Sequence, residues 1–128
     1  MKRVVLDASA WAAMVFDEPD SNLVGPAVEG AEVHAPTLLR YEMASIALKK
    51  IKQQPDRAHS IARALADASG PRYSISFHDI APSDMTMVAQ QTGLSAYDAS
   101  YLWLAGSLGA NLVTLDRQLA RASEALEL

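Results

Sequence analysis

The chain has no cysteine. That excludes disulfides, thiolate metal sites and a cysteine nucleophile, and it fits a reducing compartment, so a cytoplasmic location is expected. Long apolar runs are missing too. The opening Met1-Lys2-Arg3 resembles the basic start of a secretory leader, but Asp7 interrupts the apolar run after Val4-Val5-Leu6, before a core of secretory length can form. No stretch reaches the roughly 20 residues of a membrane span, and no membrane association is expected. Positive charge is in short supply: 11 Lys and Arg stand against 15 Asp and Glu, for a net charge of −4. This argues against a protein that coats nucleic acid electrostatically, though not against an enzyme that meets it through a metal ion and a few local bases. Histidine is sparse. His34, His59 and His78 are scattered and show no ligand spacing, so they are expected on the surface or in the core. Neither a Ser-His-Asp spacing nor a glycine-rich phosphate loop is present, and there is no repeat or linker. With 128 residues, one domain spanning residues 1–128 is expected.

What is present is an alternation of short apolar runs with helical patterns. Val4-Val5-Leu6 is apolar on both faces, as a buried parallel strand requires. Ser9 is placed to cap a helix through Phe16, which Asp17-Glu18-Pro19-Asp20 stops. A short helix follows around Ser21 to Glu29, although Gly25-Pro26 makes a poor helix interior. Glu32 to Ala35 forms a second strand. The spacing then predicts a helix from Thr37 to Gln53, another from Pro55-Asp56 to Ala68 broken by Gly70-Pro71, and a strand over Tyr73 to Phe77. A helix from Pro82-Ser83 ends at Gly93; one capped by Ser95 runs to Gly109. Leu112 to Leu115 reads as a strand ending at Asp116, with a last helix over Arg117 to Ser123 and an edge strand at Leu126-Glu127-Leu128. Such alternation implies an α/β fold, a three-layer α/β/α sandwich around a mainly parallel sheet.

Four acids stand out against this pattern. Asp7 and Asp116 end strands. Glu42 lies four residues from both Leu38 and Ile46, and Asp98 four from both Leu94 and Leu102, so each shares a helix face with apolar residues. Strand ends and helix starts gather at the carboxyl edge of a parallel sheet, where ligands bind. Individually, Asp116, Asp98 and Asp7 have ordinary readings as helix caps; Glu42 on an apolar stripe does not, since a buried carboxylate needs a partner. Two carboxylates about 4 Å apart repel by roughly 4 kcal/mol at an effective dielectric of 20. A four-acid cluster therefore calls for cations, and all-oxygen ligands favour Mg²⁺ or Mn²⁺. Such a site suits phosphodiester hydrolysis. Ser9 and Thr114 flank the acids as supporting donors, and Thr114 is expected to share a strand face with Asp116. Arg40, Arg117 and Arg121 are the nearest bases, placed to meet substrate phosphates. Trp11 is expected beside the cleft, and Trp103 in the core or at an interface.

The segments VVLDASA, APTLLRYEMASIAL, GLSAYDASYLWLA and LVTLDRQLA together resemble the PIN-domain endoribonucleases, in particular VapC-type toxins of toxin–antitoxin pairs. The resemblance spans nearly the whole chain in the family's order. It implies a Mg²⁺- or Mn²⁺-dependent site, cleavage of RNA, a VapB-like antitoxin that occupies the cleft, and a homodimer. Asp7, Glu42, Asp98 and Asp116 fall on the family's acidic positions, and Ser9 and Thr114 on its hydroxyl positions. The chain departs from the family at Gly25-Pro26, in a segment that is usually a regular helix and against which the antitoxin often packs. Two other readings compete. One is a catalytically silent binding module whose acidic cleft receives a partner's arginine. The other is a phosphotransferase of the haloacid-dehalogenase type, which needs Asp-x-Asp after the first strand, where this chain has Ser9 as the third residue.

Overall fold

The structure, a computed structural model, describes residues 2–70 and 73–128. Four strands form one sheet: β1 (Arg3–Leu6), β2 (Glu32–Pro36), β3 (Ile75–His78) and β4 (Asn111–Val113). Their order is β3-β2-β1-β4 and all three pairings are parallel. The helices are α1 (Ala8–Val15), α2 (Ser21–Val28), α3 (Leu38–Gln53), α4 (Ala58–Ala68), α5 (Pro82–Thr92), α6 (Ala96–Leu108) and α7 (Arg117–Ala125). A single 3-10 turn, Pro55–Arg57, joins α3 to α4. Helices α1 to α4 pack on one another in one layer and α5 to α7 in the other, giving the expected three-layer α/β/α sandwich.

Why β1 is central is visible in its composition. Val4, Val5 and Leu6 are all fully buried, because β2 and β4 flank the strand and helices cover both faces. The chain leaves β1 for β2 on one side and reaches β4 on the other. The β1–β4 boundary is thus the point where strand order reverses, and the crevice outside it is the expected ligand position in an open parallel sheet. The core continues into Leu39 and Met43 of α3, Tyr101, Leu102 and Leu104 of α6, and Leu119 of α7.

Several local expectations shift. Asp7, not Ser9, caps α1: its backbone is extended and its carboxylate accepts from the Ala10 N–H, so Ser9 lies inside the first turn. Helix α2 runs through Gly25-Pro26. The proline forfeits one backbone bond, and the buried Val24 anchors the helix regardless. β3 begins at Ile75 rather than Tyr73, and β4 stops at Val113. Thr114 and Asp116 therefore sit in the turn after the strand instead of sharing its face. Leu126 to Leu128 is no edge strand. Glu127 adopts φ 59°, and the Leu128 N–H returns to the Ser123 carbonyl, closing α7 in a helix-terminating turn. Helix α4 ends at Ala68; Pro71, the second half of the expected breaker, lies outside the described residues.

The histidines are not all scattered. His34, only 8% exposed, meets His78 ring to ring, Nδ1 to Nε2 at 2.9 Å, and its Nε2 lies 2.6 Å from Glu32 Oε1. The cause is register. Pairing of β2 with β3 sets Pro36 opposite His78, so His34 and His78 become same-face diagonal neighbours. The His34 hydrogen bond, more than any other effect, holds the Glu32 carboxyl below the usual carboxylate range. Trp11 packs edge-on against Tyr73, 4.5 Å between ring centroids, in the α1–α3–α4 layer and not beside the acids.

Candidate active site

The site is built at the carboxyl ends of β1 and β4. Asp7 follows β1 directly and is 5% exposed, a carboxylate almost out of water. Three donors compensate. Ala10 N–H (3.0 Å) and Ser9 Oγ (2.7 Å) donate to Oδ1, and Thr114 Oγ1 donates to Oδ2. Both hydroxyls are also acceptors: Leu115 N–H donates to Ser9 Oγ, and Asp116 N–H to Thr114 Oγ1, each at 3.0 Å. The turn after β4 is thereby fastened to the turn after β1 through Asp7. Ser9 and Thr114, chosen in the sequence as supporting donors, both touch Asp7.

The other three acids come from helix starts. Asp116 caps α7, its Oδ1 accepting from Leu119 N–H at 2.9 Å, which is the ordinary role it has when taken alone. Asp98 lies in the first turn of α6; its N–H donates to Ser95 Oγ at 3.1 Å, one half of a capping box. Glu42 stands on α3 and finds the partner its apolar surroundings demand: Tyr101 Oη donates to its Oε1 at 2.5 Å. This bond runs from one helical layer to the other. The phenol is 1% exposed, and burial, with Glu42 beside it, pushes its pKa up. The sequence reading missed Tyr101. The available signal was a tyrosine on an otherwise apolar buried helix, which must satisfy its hydroxyl.

Charge ties the four together. Burial raises the Asp7 carboxyl above its usual range, opposed by Thr114, Ala10 and Ser9 and reinforced by Asp116. Burial also raises Glu42, Tyr101 opposes it, and Asp98 and Asp7 raise it further. Asp98 is raised by burial and then by Asp116, against the Ser95 hydroxyl. Glu42 thus feels both Asp98 and Asp7, and Asp7 and Asp98 each feel Asp116, so like charge links all four. Among the described residues no Lys, Arg or His forms an ion pair with any of them. Arg40 instead lies over the Phe77 ring, 5.7 Å from its centroid. Arg117 and Arg121 are exposed on the first turns of α7.

The donor set suits a hard divalent cation: oxygen only, with uncompensated negative charge and raised carboxyl pKa values that a cation would bring back down. Among the described residues no three His, Asp or Glu side chains are grouped as a ready-made metal-binding triad.

Fold and site together define a class: a three-layer α/β/α protein with an acidic cleft at the topological switch point of a parallel sheet. The chain matches the PIN domain over residues 4–125. It is 34% identical over 127 residues to Ribonuclease VapC3 of Pyrobaculum aerophilum, covering 97% of each. It is 29% identical over 122 residues to Ribonuclease VapC9 of Mycobacterium tuberculosis, covering 95% of this chain and 92% of that one. The crystal structure of PAE2754 from Pyrobaculum aerophilum aligns with a TM-score of 0.73 at 26% identity, over 94% of this chain and 85% of that one. The chain belongs to the PIN-domain family, and its curated relatives are VapC ribonucleases.

Proposed function

We propose that the protein is a Mg²⁺- or Mn²⁺-dependent endoribonuclease, the toxin of a VapBC-type toxin–antitoxin pair. The observation that carries this is the set of four mutually repelling carboxylates with no ion-paired cation among the described residues, in a chain whose relatives are named ribonucleases. Asp7, Glu42, Asp98 and Asp116 would hold the ion. When bound, it supplies Lewis acidity for phosphodiester hydrolysis and neutralises charge that develops on the phosphate.

The chain's own residues do the positioning. Ser9, Thr114 and the Ala10 amide fix both oxygens of Asp7, and Tyr101 fixes Glu42, so neither carboxylate has to reorganise when substrate arrives. The two differ in freedom from Asp98, whose hydrogen bond to Ser95 runs through its backbone N–H. Arg117 and Arg121, on the helix that Asp116 caps, would contact RNA phosphates, and Arg40 would do so from beyond Phe77. A VapB-like antitoxin would cover the cleft, and the toxin would act as a cytoplasmic homodimer.

The test is cleavage of a mixed RNA pool by the purified, partner-free chain in Mn²⁺ or Mg²⁺, with EDTA and Asp98→Asn as controls. Cleavage lost in both controls is the expected result. No cleavage across the pool, with no Mn²⁺ uptake by calorimetry, refutes the assignment and leaves a binding module whose cleft receives a partner's arginine.

A further inference from the structure

The two helix acids share a feature that the hydrolytic chemistry does not use. Each is preceded by an exposed tyrosine: Tyr41 before Glu42 on α3, and Tyr97 before Asp98 on α6. Successive helical residues point about 100° apart, so when the acid turns into the cleft its tyrosine is left on the rim. Tyr41 is 66% exposed and Tyr97 60%. They belong to one open concavity of about 410 Å³, lined by Leu38, Tyr41, Glu42, Ser45, Ile46 and Tyr97. Glu42, one of the four acids, lines it directly.

From this placement we infer that Tyr41 and Tyr97 form a stacking platform for an unpaired base of the RNA, next to the phosphate at the carboxylates. The inference rests on the nuclease reading above. The occupant follows from charge. The net charge is −4, and among the described residues the one charged group lining the concavity is a carboxylate, so phosphate contacts cannot supply affinity there. An aromatic face can, because every base has a π-face and stacking is indifferent to charge. The platform holds single strands and excludes a stacked duplex, whose bases are not free to stack on tyrosine.

The test uses short single-stranded RNA of random sequence carrying 2-aminopurine, whose fluorescence is quenched by stacking. Steady-state cleavage in Mn²⁺ and stopped-flow fluorescence before cleavage are read for the wild type and for Tyr41→Ala, Tyr97→Ala, and Phe and Leu at each position. Each Ala variant is expected to raise KM about 5- to 150-fold, the range for one stacked base, with kcat within about twofold and the quench lost. Phe restores KM and quench. Leu, which keeps apolar bulk without a ring, does not. Unchanged KM and quench in the Ala variants overturn the platform while cleavage leaves the nuclease standing. Rescue by Leu, or an altered oligomeric state by sedimentation with unchanged KM, also overturns it and makes this rim a protein interface. A wild type that neither cleaves nor quenches sinks both readings. One that quenches without cleaving, with the quench lost in the Ala variants, keeps the platform and removes the nuclease.

Discussion

Replacing Tyr101 with phenylalanine isolates one interaction that the site depends on. The ring is 1% exposed and its packing survives the change; only the hydroxyl that donates to Glu42 at 2.5 Å is deleted. A hydrogen bond to a charged group is worth about 1.5–3 kcal/mol net. Glu42 is half-buried, so water takes over part of the lost role and the lower end, about 1.5 kcal/mol, is expected. Burial already raises the Glu42 carboxyl, and Tyr101 opposes that rise. Losing the bond therefore moves the carboxyl further up. The sign is fixed by which form the phenol binds. It donates to the carboxylate, so its loss counts in full above the folded pKa of Glu42 and fades below it as the carboxyl protonates. Thermal denaturation without added metal should therefore show a deficit of about 6 °C at neutral pH for a domain of this size, closing as the pH falls into the carboxyl range. The acidic limb of RNA cleavage should move up in pH with it. A deficit that is independent of pH would refute the argument, since it would mean that the hydroxyl only fills space.

Other perturbations separate the parts of the site. The folded values of Asp7, Glu42 and Asp98 all lie above their ordinary ones, so the native state keeps protons that the unfolded chain has released. Stability of the metal-free protein should then fall as pH rises from the ordinary carboxyl values through the raised ones, and Mn²⁺ should flatten or reverse that slope, because it binds the deprotonated groups; calorimetric unfolding over pH checks both. Thr114→Val removes a donor to Asp7 and the acceptor of Asp116 N–H together, so it should cost about 1.5–3 kcal/mol in denaturant unfolding and weaken Mn²⁺ uptake. Leu119→Ala truncates a fully buried side chain but keeps the backbone N–H that donates to Asp116, so it should cost about 2–5 kcal/mol with unchanged metal affinity per folded molecule.

What the sequence reveals of this fold divides along the distance between interacting residues. A run such as Val4-Val5-Leu6 announces a buried strand by itself, because three apolar residues in a row leave no face for solvent. Helix faces are equally local, so Glu42 among apolar neighbours was legible as a carboxylate in need of a partner. The partner was not. Tyr101 is 59 residues away, on the opposite layer, and no periodicity links the two. The His34–His78 contact was hidden for the same reason: it exists only once β2 and β3 pair in one particular register. Caps fail differently. Asp7 and Ser9 are both good N-cap residues, and the choice between them turns on where β1 ends, a boundary that tertiary pairing sets.

The acids converge for a reason that needs neither register nor side-chain contact. In a parallel sheet every strand points the same way, so residues that end strands, and those that begin the following helices, collect at one edge. Asp7, Glu42 and Asp116 occupy such positions directly. Asp98 does not, since α5 intervenes between β3 and α6, and its membership depends on how those two helices pack. The acid least determined by local sequence is thus also the one whose carboxylate, among the described residues, makes no fixing hydrogen bond like those of Asp7 and Glu42. Asp7 and Glu42 have firm partners within the chain and hold their geometry through them. Asp98 is left to respond to the cation and the substrate, which is why its amide variant is the sharpest control for whether the ring of charge does chemistry.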